Sequence, residues 1–485
     1  MYASKRRPPK RHIFAIAAAI ALFGLFVTVL AGLVATRISP QQLWAESGQR
    51  SPHELIRYVK RRLEGHTKLE MLLLPPLDLA QRHYERPTGG QVLPSLGKGQ
   101  QIAAALVYRP AADVIAHSPE TFQAALMAAK PGDIIELAAG AYRFNQKIRI
   151  GGAGLPNAPI TVRGSDPSKD QTVIEFNATE GFLVNQPYWS FADLTVRGVC
   201  KSDDDCEHAF HIVGKAEYTT LRNNHIEDFN AHIKVNGFNG DWPDHGLLST
   251  TTLTNTHPRN TTRSVTPFDL VGANWWRVTD NLVTNFGKSA GNGVAFGMFM
   301  KGASEGGHFE RNLVICSPTD ISGPGVRVGI SFGGGGTDPR LCRDGNCSKF
   351  EHHGGLAANN IVAHCNDTGL DINNSSAITL AHNTLINTSG INLRRGPADA
   401  HLYGNLYEGD VRARDGAVLH LEMNQPMNAI QVFDNADLLQ LHWLLAPDNI
   451  PSLRGVNIDF CGQKRADGTP PGALTQLTGV CGPTL

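Results

Sequence analysis

An asparagine followed by apolar residues recurs six times between residues 224 and 407, and no other feature restricts the fold of this chain as tightly. The segments are Asn224-His225-Ile226, Asn281-Leu282-Val283, Asn312-Leu313-Val314, Asn360-Ile361-Val362, Asn383-Thr384-Leu385 and Asn405-Leu406-Tyr407. The closest spacings are 22 and 23 residues, and the wider ones of 31, 48 and 57 fit a coil with an insertion or two coils. A period near 22 accommodates short strands separated by turns, the signature of a stacked repeat. Coils so stacked sit about 4.8 Å apart, which lets asparagines at equivalent turns form an amide ladder.

A second register lies about ten residues before five of those asparagines. It reads His211-Ile212-Val213, Asp269-Leu270-Val271, Phe299-Met300-Lys301, Asp371-Ile372-Asn373 and Asn392-Leu393-Arg394. The middle residue is always Ile, Leu or Met, as a core-facing strand position between two outward ones requires. Lys234-Val235-Asn236, Ser331-Phe332-Gly333 and Arg412-Ala413-Arg414 read as further rungs. The fold class expected is all-β, a right-handed parallel β-helix. Ser118 and Pro119 open a capping helix whose apolar face is Phe122, Ala125, Leu126 and Ala129.

Ahead of the helix the chain changes character. Lys5, Arg6, Arg7, Lys10 and Arg11 precede an uncharged run from Ile13 to Thr36, long enough to cross a bilayer, which takes about 20 residues. The basic cluster places the remainder outside the cytoplasm. A cleaved signal peptide competes, since small residues lie near Ala31 to Ala35, but its apolar region is ordinarily shorter. The organisation expected is a basic cytoplasmic tail (1–12), a transmembrane anchor (13–36), a helical neck and linker (37–108), the β-helix (109–420) and a C-terminal cap or tail (421–485). In the neck, Ser51 to Glu54 reads as a capping box and Leu72 to Pro76 as a helix break. The expected location is the inner membrane, single-pass, with the large domain in the periplasm or outside the cell. Eight cysteines in an exported chain point to disulfides. Cys200 with Cys206 and Cys342 with Cys347 would close short loops, and Cys461 with Cys481 a longer one.

The 44 basic and 44 acidic residues balance, so no global field favours nucleic acid. The outward residues of the second register nevertheless make a charged face: His211, Lys234, Asn236, Asp269, Lys301, Ser331, Asp371, Asn373, Asn392, Arg394, Arg412 and Arg414. Such side chains serve solubility on many strands, but Lys, Arg, Asp and Asn also grip carboxylates and hydroxyls. A long face of this kind suits an extended acidic polysaccharide. Insertions at Asn239 to Thr256 and Phe332 to His353 are expected to wall it. In the first, Asp244-His245 is a candidate acid–base pair or a loop-stabilising contact. Trp275 is a candidate sugar platform, with at least one of Trp275 and Trp276 in the core. No nucleophile elbow or zinc-protease motif occurs. Asp269 and Asp371 are the available carboxylate pair for glycoside hydrolysis, separated by several rungs.

Pro131 to Leu137, Gly140-Ala141-Tyr142 and Pro159 to Gly164 resemble the opening of the chondroitinase-B and alginate-lyase group of β-helix enzymes, and Leu370 to Leu406 resembles its catalytic coils. The resemblance implies lyase activity on uronic-acid polysaccharide. It places the family's arginine on Arg394 and its lysine on Asn373, and its calcium-binding glutamates on Asn366 and Thr368. The lysine and the calcium ligands are therefore not kept, and a calcium requirement stays open. The tail, Asp459 to Gln463 with Asp467-Gly468 and Pro470-Pro471, is similar to the closing segment of many exported β-helix proteins.

The residues then support β-elimination, with Lys301 as base, Arg394 and Lys234 at substrate carboxylates and His245 as alternative acid or base. The same groove also fits a polysaccharide-binding or export-assisting protein without catalysis, or a uronate C5-epimerase.

Overall fold

The computed structural model describes residues 59–60, 63, 67–84, 109–166, 171–318, 325–334, 337–347, 349–434, 436–466, 468–475 and 478–479. The anchor at 13–36 and the capping box at 51–54 lie outside them. The chain divides into two compact units, residues 1–85 and 86–485.

In the first unit a helix spans Thr67–Tyr84 and runs through Pro75 and Pro76. The break expected at Leu72 to Pro76 is therefore absent. Proline's fixed φ already has the helical value, so the pair costs backbone hydrogen bonds rather than the helical path. Among the described residues no helix is long and apolar enough to cross a membrane.

The second unit is a parallel β-helix. Three sheets of 12, 10 and 11 strands run its length, each pairing a strand with its counterpart on the next coil. They are numbered here 1, 2 and 3 in that order, and a coil visits sheet 1, then sheet 3, then sheet 2. Sheet 1 begins at Val114–Ala116, sheet 3 at Gly140–Phe144 and sheet 2, the charged one, at Ile148–Arg149. The helix Pro119–Ala128 closes the first coil. Ser118 and Thr121 form a reciprocal capping box at its start, and Phe122 and Leu126 are fully buried beneath it.

The rungs of sheet 2 pair in the register that the alternation implies: Ile212 with Val235, Val235 with Leu270, Leu270 with Met300, Met300 with Phe332, Phe332 with Ile372, and Ile372 with Leu393. All of these side chains are buried at the interior of the coil. Each is flanked by outward neighbours because strand side chains alternate.

The turn into sheet 3 carries the ladder. Asn281, Asn312, Asn360, Asn383 and Asn405 are completely buried, and each donates its amide to the oxygen of the next at 2.9–3.0 Å as far as Asn405. The 57-residue gap after Asn224 is two coils. Thr251 holds the intermediate place, receiving the Asn224 N–H on its hydroxyl and donating its own N–H to Asn281. Asn424 adds a last rung after Asn405.

Disulfides join Cys200 to Cys206, Cys342 to Cys347 and, across neighbouring coils, Cys316 to Cys365. Cys461 is also disulfide-bonded, and Cys481 lies outside the described residues.

The segment after residue 425 returns along the outer surface of sheet 3. It contributes the short helix Ala429–Val432 and an antiparallel sheet of Phe433–Asp434, Leu441–Trp443 and Thr478–Gly479. Phe433, Leu441, Phe460 and Leu474 form a second core with Leu282, Leu313, Ile361, Ile386 and Leu406 of the coils. Buried Arg465 locks this arrangement by donating twice to Asn359, 106 positions earlier.

Candidate functional site

Sheet 2 presents two outward columns. The first runs His211, Lys234, Asp269, Phe299, Ser331, Asp371, Asn392 and Arg412. The second includes Asn236, Val271, Lys301, Asn373 and Arg394, with Arg414 one position beyond the Leu393–Ala413 pair. Sheet register thus gathers on one face all the expected site residues except His245 and Trp275.

Most of the charges on this face are already paired. Lys234 donates to Asp269 at 2.7 Å, with little of either side chain exposed. Arg394 grips Asp371 through Nε and Nη2 at 3.2 and 2.9 Å. Asn392 donates to the same carboxylate at 3.0 Å, and Arg414 donates to Asn392 at 3.2 Å. Burial pushes the Asp371 carboxyl above its usual range, against the pull of Arg394. Arg412 pairs with Asp410 beside it. At the N-terminal end His211 bridges Glu180 and Asn236, each at 2.9 Å. That contact and Lys147 hold Glu180 down at about 2.

Lys301 differs. Its ammonium sits 4.5 Å over the Phe299 ring, and among the described residues no carboxylate lies within ion-pair distance of it. Burial lowers its pKa, with Lys234 acting in the same direction and Asp269 and Glu351 opposing. The next rung toward the C-terminus carries Gly333 at the matching place, with φ +81°. A β-carbon there would meet the Asn373 carbonyl at 1.9 Å, so only glycine fits. Ser331 on the same rung is fully buried and donates its hydroxyl to the Gly333 carbonyl.

The two insertions meet each other. Arg343, inside the loop closed by Cys342 and Cys347, forks onto buried Asp244 of the first insertion at 2.7 and 2.9 Å. It also donates to the Gly272 carbonyl and lies over the Trp242 ring. The loop is tied to the Lys301 rung as well, since Arg343 N–H donates to Gly302 O and Gly302 N–H to Glu351. Asp244 is thus a clasp for Arg343 rather than a partner for His245.

His245 and Trp275 belong to a different device. Tyr188, Tyr218, His245 and Trp275 occupy equivalent turns with φ of 59, 57, 59 and 55°. Their rings stack at 4.8, 4.8 and 4.6 Å. Gly306 lies against the pyrrole side of Trp275, where a β-carbon would come within 2.4 Å. Trp275 is 43% exposed, while Trp276 is fully buried in the core. His245 sits at a turn two coils from the Lys301 rung, and the structure does not bring the two together.

Two chemistries lack their geometry here. Asp269 and Asp371 are three rungs apart, roughly 14 Å, beyond the 10 Å or so that paired glycosidase carboxylates span. For calcium, Asn366 is spent on the Arg327 N–H and the Gly325 carbonyl, and Thr368 on Asp367. One carboxylate remains at that turn, which does not match the oxygen-rich set calcium takes. Among the described residues a Cys342, Asp344 and Cys347 group has metal-like spacing, but its two sulfurs are joined to each other.

No family model matches the chain, and no curated protein matches it. Among solved structures it is similar to the pectate lyase Pel9A, at 13% identity and a TM-score of 0.56, over 76% of this chain and 97% of that one. A rhamnogalacturonan lyase (13%, TM-score 0.40, 62% and 79% covered) and an alginate lyase from Paenibacillus sp. str. FPU-7 (14%, TM-score 0.34, 65% and 95% covered) also align. At such identities the likeness is one of fold, and the likeness to Pel9A agrees with the parallel sheets in showing a parallel β-helix.

Proposed function

We propose that this protein acts on an acidic polysaccharide outside the cytoplasm, held at the membrane by its N-terminal segment, and cleaves uronate linkages by β-elimination. The observation that carries this reading is Lys301, a partly buried lysine on the floor of a charged groove, with its pKa lowered and no carboxylate beside it. In its neutral form the amine removes the C5 proton, the electron pair forms the C4–C5 double bond, and the C4–O4 bond breaks with the leaving oxygen taking a proton from water. Neutralising the substrate carboxylate is the larger demand; Lys234, oriented by Asp269, supplies the cation coupled to Lys301, and Arg394, three rungs further along, is placed for the carboxylate of another uronate of the chain.

The test is absorbance of unsaturated uronate product with alginate, pectate, chondroitin and dermatan, with and without calcium. A rise that disappears in Lys301→Ala supports the reading, and unchanged activity in that variant removes Lys301 from the role. One observation favours a second reading, binding or export assistance without catalysis: Asn373 stands where the resembled enzymes have lysine, and the calcium donors are engaged elsewhere. Polymer binding without unsaturated product would support it, and solvent deuterium entering intact polymer would instead indicate epimerisation.

A further inference from the structure

The two ends of the solenoid are finished differently. The helix Pro119–Ala128 covers the first coil, whereas the last strand of sheet 1, Val418–Glu422, is paired on one side alone among the described residues. Leu421 lies opposite Leu402 and Leu419 opposite Ala400, both buried inside the coil. The alternation therefore turns both leucines inward, yet Leu421 is 57% exposed. The other two sheets end on strands that discourage a further strand. Sheet 2 ends on Asp410–Ala413, with the Asp410–Arg412 ion pair, and sheet 3 on Gln425–Pro426, whose proline has no N–H to offer.

The free edge of sheet 1 is complementary to itself. The Val418 N–H donates to the Ala398 carbonyl, and the Glu422 carbonyl accepts from the Gly404 N–H. Alternate residues of a strand address opposite neighbours, so Val418, His420 and Glu422 face the preceding coil, and the N–H and C=O groups of Leu419 and Leu421 point off the end. A two-fold axis through His420 sets Leu419 of one copy opposite Leu421 of the other as doubly hydrogen-bonded pairs of an antiparallel ladder. Every free group of both leucines then has a partner. The leucines also stay on the inner face, where each copy closes the core of the other. A head-to-tail contact would instead set them against the capping helix and, being heterologous, would propagate rather than close.

We propose that the Val418–Glu422 edge docks a second copy of this chain, forming a two-fold, end-to-end dimer whose antiparallel register is centred on His420. The inference is independent of the polysaccharide reading.

The experiment uses the full chain in mild detergent, with sedimentation over a dilution series. A reversible dimer is expected, with a Kd on the order of micromolar for so small a contact. His420→Cys is expected to give an intermolecular disulfide on mild oxidation, identified by the mass of the linked peptide. The two positions would stand about 4.5 Å apart at Cα, within the range of about 4.4–6.8 Å that a disulfide spans. Val418→Cys is expected to give none, because the same axis separates the two Val418 positions by about 14 Å. Leu421→Lys is expected to weaken the dimer at least about tenfold with an unchanged melting temperature of the monomer, the side chain being already exposed there. A monomer at every concentration, equal linking from positions 418 and 420, or a dimer indifferent to Leu421→Lys overturns the inference.

Discussion

Replacing Asn360 by alanine tests whether the amide ladder holds the coils in register. The Asn360 amide donates to the Phe309 carbonyl at 2.8 Å and to Asn383 at 2.9 Å. Its oxygen accepts the Asn312 backbone N–H at 2.9 Å and the Asn312 amide at 3.0 Å. The site is completely buried, so no water replaces what is lost. Alanine keeps the backbone bond to Asn383 but strips the Asn312 N–H and the Phe309 carbonyl of these partners. Each such group costs about 1–3 kcal/mol, so Asn360→Ala is expected to destabilise by about 4 kcal/mol. The chain contains its own control, because Thr251 fills the equivalent place one coil from Asn224 and accepts that residue's N–H at 3.3 Å. Asn360→Thr restores an acceptor for Asn312 and is expected to cost about half as much. Urea unfolding followed by tryptophan fluorescence gives both values, provided the slope with denaturant stays constant. An alanine variant within about 0.5 kcal/mol of wild type, or a threonine variant as weak as alanine, would refute the reasoning.

Acid should loosen the helix well before its carboxylates titrate. His208, His232, His352 and His382 are each held at about 3 by burial, so between pH 6.5 and that value the unfolded chain binds protons that the folded chain refuses. Stability then falls as pH falls, by about 1.4 kcal/mol per unit for each histidine. Neither ring nitrogen of His382 has a hydrogen-bond partner among the described residues, and His382→Leu is expected to flatten that slope, read from unfolding midpoints across pH. If Lys301 is the base, the rate should rise with pH through a midpoint below the ordinary lysine value of 10.5, and a rate independent of pH would exclude it. Arg343→Ala is expected to cost about 1–3 kcal/mol by leaving Asp244 without its cation. It should also open the 333–351 segment to limited proteolysis, and an unchanged digestion pattern would show that the clasp does not hold it.

The coil register was legible because it depends on local alternation: one apolar residue between two outward ones places Lys301, Asp371 and Arg394 on a common face wherever the strands pair. The ladder was legible in part. Thr251 escapes a search for asparagine because a hydroxyl meets the same neighbouring N–H, and Asn424 because Gln425 and Pro426 follow it in place of apolar residues. The site was legible as a face and not as pairs. Lys234 with Asp269 and Arg343 with Asp244 are 35 and 99 positions apart, and no periodicity reports which charge meets which. Asp244-His245 misleads for the same reason: the adjacent residues turn to opposite duties, one to Arg343 and the other to the stack of turn aromatics.

The returning tail sets an order on assembly. Leu282, Leu313, Ile361 and Ile386 face outward from coils that can form as soon as they are made, yet their cover comes from Phe433, Phe460 and Leu474. During synthesis, then, the nascent solenoid carries an uncovered apolar stripe for as long as it takes the rest of the chain to arrive. Exposed stripes of this kind invite association with other chains. A nonsense mutation shortly after residue 425 would leave every coil intact and still make a sticky product, which gives a quality-control protease a simple criterion for discarding unfinished molecules.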